Sequence, residues 1–195
     1  SNALNCVPAF SGVTRAINLR CAYVSPNSGT LPVRVGGAAL NAANNAAAAC
    51  DGVGRTLNLA FNASGVASAA LQYADVGQMT LSGSYSGSVA TADAGLLMNG
   101  TGSFIAAPAS FAFSGVTAGL IKAGNPFSAT ITAQNALGTA TPNFGKELAA
   151  EGVTLMPVLV SPVGGANPAV GNNLIAGGSF VNGVATVNNL SWGEV

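Results

Sequence analysis

Apolar and β-branched residues recur along the chain in short runs that alternate with polar ones and stop at Gly, Asn, Pro or Ser. This is the pattern of strands in an all-β sandwich, where alternate side chains face a core. In the first half it predicts strands over 16–24, 31–35, 56–61, 67–73 and 78–85, with a weaker one at 96–98. In the second half it predicts strands over 111–116, 126–134, 153–160, 175–180 and 183–192. Turns fall at Pro26-Asn27-Ser28-Gly29, Gly36-Gly37, Asp51-Gly52 and Ser86-Gly87. Only 38–49, AALNAANNAAAA, has helix propensity, and its Asn interruptions limit it to one or two turns.

The pattern also repeats itself. Phe61 to Val76 reads FNASGVASAALQYADV and Phe180 to Val195 reads FVNGVATVNNLSWGEV. Each runs from Phe through Gly-Val-Ala to Leu-x-aromatic-x-acid-Val, and Phe180 lies 119 positions after Phe61. One residue moves from before the Gly-Val-Ala in the first copy to after it in the second. An offset of that size fits tandem domains rather than a solenoid. The expected architecture is therefore two immunoglobulin-like β-sandwiches, at 4–104 and 111–195, joined by a short linker at 105–110 that Pro108 stiffens. The second copy stops where the first continues, so the second sandwich is expected to be truncated at its C-terminal end. Ser1-Asn2-Ala3 reads as a residue of tag removal, which leaves the absence of a signal peptide uninformative.

Within the motif, Gly65 and Gly183 permit a tight turn entering a strand, and Phe61, Tyr73, Phe180 and Trp192 are expected to be core aromatics. Asp75 and Glu194 follow, placed to accept backbone N–H bonds and tie down a turn. In the first copy Asp75-Val76-Gly77-Gln78-Met79 stands where immunoglobulin-like domains carry an Asp-x-Gly-x-Tyr corner, with Met79 in the Tyr position.

Composition narrows the chemistry. Charged residues make up 6% of the chain and balance to zero, far below the usual quarter or so. The basic residues Arg15, Arg20, Arg34, Arg55, Lys122 and Lys146 are scattered, so nucleic acid, which needs clustered cations, is not an expected partner. No run approaches the ~20 apolar residues of a membrane helix, so insertion of this segment into a bilayer is not expected. A surface kept wet by Asn, Ser, Thr and Gly is similar to that of secreted and surface-displayed bacterial β proteins.

There is no His, which removes Ser-His and Cys-His nucleophilic catalysis and His-dependent metal sites. Six carboxylates remain: Asp51, Asp75, Asp93, Glu147, Glu151 and Glu194. Asp75 and Glu194 hold equivalent positions in two copies and make a poor catalytic pair. Glu147 and Glu151 would share a face only if a helical turn joined them. No Asp-x-Asp-x-Asp-Gly calcium loop occurs. Neither a cofactor nor a catalytic residue is expected. Among aromatics outside the repeat, Tyr85 is the candidate platform for a sugar ring.

Cys6, Cys21 and Cys50 match no paired zinc-ligand spacing. In an exported protein the expected disulfide joins Cys21 to Cys50 and leaves Cys6 over; the alternative is three buried thiols.

Several strings resemble the repeats of MshQ-like proteins, named after the biogenesis cluster of the mannose-sensitive haemagglutinin type IV pilus. They are SGTLPVRVGG at 28–37, LQYADVGQMTLSGSY at 71–85, FIAAPASFAFS at 104–114, FSATITAQNALGTATPNF at 127–144 and SWGEV at 191–195. The resemblance implies an exported, multidomain β protein of the cell surface or periplasm, linked to pilus assembly or adhesion, with no catalytic residues to carry over. The expected function is a structural or adhesive module, its partners being neighbouring domains of a longer parent and a surface or glycan receptor. A carbohydrate-binding module is the alternative, and a carboxylate-dependent hydrolase the remote one. An unpaired strand edge would favour an edge-to-edge dimer.

Overall fold

The computed structural model describes residues 10–193. Cys6 and Glu194 lie outside them. The described residues form strands, turns and one short 3-10 helix, in two compact units. Residues 25–27 and 75–77, which the sequence reading left in the first domain, group with the second unit. The interval between the two units' long strands is 107–109, since one strand runs to Ala106 and the next starts at Ser110.

In the first unit a four-stranded sheet has the order β4-β1-β6-β7, from β1 Thr14–Ser25, β4 Arg55–Ala60, β6 Gly77–Ser86 and β7 Leu97–Ala106. A second sheet, β3-β2-β5, is made of the short strands β2 Arg34–Val35, β3 Ala38–Ala39 and β5 Leu71–Gln72. Strand β1 shows how the alternation works: Ile17, Leu19 and Cys21 are buried while Ala16, Arg20 and Ala22 face outward. Those inward residues meet Val33, Val35, Leu40, Met79 and Tyr85 in one core. Cys21 and Cys50 form a disulfide, fixing the loop before β4 to the middle of β1.

The second unit is a three-stranded sheet, β12-β9-β8, with a β10-β11 ribbon. Its strands are β8 Ser110–Ser114, β9 Pro126–Gln134, β10 Val153–Thr154, β11 Leu174–Ile175 and β12 Val184–Ser191. Ala129, Ile131 and Ala133 of β9 pack with Phe144, Phe180, Ala185 and Leu190, and Val76 completes the same core.

Several sequence expectations are corrected. Residues 38–49 form no helix: Asn41 Nδ2 donates to the carbonyls of Asn45, Ala48 and Ala49, and Asn44 Oδ1 accepts from Ala39 N. Such side-chain bonds to nearby backbone compete with helical ones. No helix joins Glu147 to Glu151 either, because that stretch is turn and loop. The strands expected at 67–73 and 153–160 shorten to Leu71–Gln72 and Val153–Thr154, and Pro157 accounts for the second, having no N–H for a ladder. After β11 the chain enters the 3-10 helix Gly177–Ser179 instead of continuing extended. Conversely, the weak strand at 96–98 grows into β7, ten residues long.

Candidate functional site

The two copies of the repeat differ where the structure absorbs one residue. In the first, Asn62 and Val66 close a turn with three residues between them, through Asn62 N to Val66 O and Gly65 N to Asn62 O, both 2.9 Å. In the second, Val181 and Val184 pair across the two-residue turn Asn182-Gly183, whose φ angles of 51° and 77° are the left-handed pair of a hairpin. The residue saved there reappears in β12. Val187 faces Ala129 and Leu190 faces Phe127, so β12 spends three steps where β9 spends two, a β-bulge.

The repeat aromatics have unequal environments. Phe61 stacks edge-to-face on Phe10 at 4.9 Å and Phe180 on Phe144 at 4.8 Å, both against their cores. Tyr73 meets Phe104 edge-on at 6.3 Å and is half-buried. Trp192, expected in the core, is instead half-buried beside two cavities of about 470 and 370 Å³, with Nε1 donating to Pro168 O.

Asp75 is buried in the second unit. Its Oδ1 accepts from Val76 N at 2.9 Å and from Asn143 N at 3.0 Å, while Oδ2 is buried without a hydrogen-bond partner. Burial pushes this carboxyl above the usual range. The two N–H donors and the Lys146 cation oppose that, and Glu147 adds to it.

Three other carboxylates, Asp51, Asp93 and Glu147, also hold loops. Asp51 accepts from Ala42, Val53 and Gly54 backbone N–H groups, and these bonds, Ala42's foremost, lower its pKa. Asp93 accepts from the hydroxyls of Thr91 and Tyr85 and from Ser88 N, with Arg15 Nε at 3.5 Å, and lies down at about 2. Glu147 Oε2 accepts from Gly145 N at 2.7 Å. Tyr85 is therefore no sugar platform: it is 7% exposed, its ring packs on Phe10 and its hydroxyl is spent on Asp93. Among the described residues, no three of His, Cys, Asp and Glu come together to hold a metal ion.

Two cavities adjoin β6 and β7 of the first unit. The inner one, about 350 Å³, is walled by Phe10, Ile17, Leu59, Phe61, Tyr85 and Met98. The other, about 250 Å³, is polar and lined by Arg20, Ser82, Ser84, Asn99 and Thr101 over Gly83 and Gly100. Nothing in the sequence pattern marked this second group, beyond polar residues on the outward beat of three strands.

Two family models match, and together they span most of the chain. Residues 1–101 match the domain of unknown function DUF6701, first Ig-like domain, and residues 94–190 match DUF6701, second domain. The chain belongs to the DUF6701 family. It carries the family's first two domains in tandem as an all-β protein. No curated protein and no solved structure matches it. The DUF6701 descriptions assign neither a reaction nor a ligand. No helix among the described residues is long and apolar enough to cross a membrane, which says nothing of β-barrels.

Proposed function

We propose that this DUF6701 pair is a non-catalytic structural module of an exported bacterial surface protein, working through spacing and display. The observation that carries this reading is the use of the carboxylates. Asp51, Asp93 and Glu147 each accept backbone N–H bonds from their own loops, and Asp75 bonds a loop 68 residues away. A general acid or nucleophile needs a lone pair or proton directed at substrate; Asp51 and Asp93 instead have both oxygens engaged in holding the fold. The Cys21–Cys50 disulfide supports an oxidising compartment outside the cytoplasm.

The finer reading, a part in pilus biogenesis or agglutination beside neighbouring domains of a longer parent, rests on the resemblance to MshQ-like proteins. Deleting the coding region in the source bacterium, and assaying piliation, agglutination and protease accessibility on intact cells, tests it. Loss of agglutination with the protein accessible at the surface supports it; a cytoplasmic protein and unchanged agglutination refute it. Carbohydrate binding is a second reading, favoured by the polar cavity around Arg20.

A further inference from the structure

The outward side chains of β1, β6 and β7 are almost all uncharged. Arg20 is the only charge lining the polar cavity, and Ser82, Ser84, Asn99 and Thr101 supply its other side chains. Those four make no hydrogen bond from their side chains within the described residues, so their hydroxyls and amide stand available to a ligand or to water.

Arg20 is held in place by two neighbours. Its Nε donates to Asn18 Oδ1 at 2.7 Å, and its stem runs close past Gly54, where an added Cβ would meet the Leu19 carbonyl first and Arg20 Cγ next. A guanidinium fixed at Nε and along its stem keeps both Nη groups as donors. It also loses less rotamer freedom on binding than a free surface arginine. Paired Nη donors match a carboxylate in bidentate fashion. Hydroxyls and an amide on adjacent strands match ring hydroxyls.

We infer that this cavity binds a carboxylate-bearing saccharide, a uronate, with Arg20 on the carboxylate and Ser82, Ser84, Asn99 and Thr101 on the ring hydroxyls. The inference rests on the carbohydrate-binding reading and gives it a site and a ligand class. It is independent of the structural role.

The test is NMR titration of the whole isotope-labelled chain with digalacturonate, with neutral galactobiose and with acetate, in the native protein and in Arg20→Ala and Arg20→Lys. Arg20 is exposed, so both variants should fold with unchanged melting, checked before titration. The expected result is saturable shifts at Ser82, Ser84 and Thr101 with digalacturonate. Galactobiose should bind at least tenfold more weakly, Arg20→Ala should abolish binding and Arg20→Lys should weaken it. Equal binding of galactobiose, or full binding by Arg20→Ala, overturns the uronate assignment and leaves carbohydrate binding standing. Equal shifts with acetate identify an oxyanion site and overturn the saccharide. No saturable shift with either sugar overturns both this inference and the carbohydrate-binding reading.

Discussion

Asp75 Oδ1 accepts a hydrogen bond from the backbone N–H of Asn143, 3.0 Å away and 68 residues further along the chain. Both residues are about 2% exposed, and Asp75 Oδ2 beside them has no hydrogen-bond partner. Removing the acceptor strands a buried donor, so Asp75→Ala should cost about 1–3 kcal/mol in chemical denaturation. Because burial raises the folded-state pKa, the folded protein holds this proton more tightly than the unfolded chain. Asp75's contribution should therefore be most favourable below the unfolded value near 3.8, and decline as pH rises through the folded pKa. Asp75→Asn should flatten that part of the pH profile; an unchanged slope would show that Asp75 is not its source.

Asp93 has the opposite sign. The Thr91 and Tyr85 hydroxyls, with Ser88 N–H and Arg15, hold its carboxyl down at about 2. The stability it contributes is fully present above the unfolded value near 3.8 and is lost as pH falls toward 2. Tyr85→Phe keeps the ring on Phe10 and removes one donor, which should cost about 1 kcal/mol. Melting followed from pH 6 to pH 2 should show a shallower acid loss in that variant than in the native protein.

The Cys21–Cys50 bridge spans a sequence separation of 29. Closing a loop of about 30 residues should contribute on the order of 3 kcal/mol. Reduction, or the double change Cys21→Ser with Cys50→Ser, should lower the urea midpoint accordingly, and a midpoint unmoved by reductant would contradict this.

Gly183 and Gly138 separate backbone strain from crowding. Both have positive φ, 77° and 74°, but a Cβ on Gly183 would run into the Thr141 carbonyl, whereas at Gly138 it would meet nothing. Gly138→Ala should cost about 1–2 kcal/mol for the left-handed conformation alone. Gly183→Ala should cost more, since the hairpin leading into β12 must move. Equal losses in thermal melts would show that space is not limiting at Gly183.

Legibility in the sequence followed the distance over which each element is decided. The run 126–134 coincides with β9 because Ala129, Ile131 and Ala133 alternate cleanly with Thr130 and Thr132. The repeat was visible as a string of residues, but its one-residue offset became intelligible only as a shorter turn balanced by a bulge. Propensity misled at 38–49, where Asn41 spends its amide on three carbonyls. The role of Asp75 was legible as a backbone acceptor. Its partner was not, since no local pattern points to Asn143. The cavity around Arg20 escaped because it is assembled across three strands whose pairing periodicity does not specify.

We propose that Asp51 and Asp93 serve the fold rather than a reaction. Thermal melting of Asp51→Ala and Asp93→Ala at pH 7 tests it most directly, because catalytic groups are commonly retained at a cost to stability and their removal tends to leave melting unchanged or raise it. Both variants should melt at a lower temperature than the native protein. Melting at or above the native temperature in either one would contradict it.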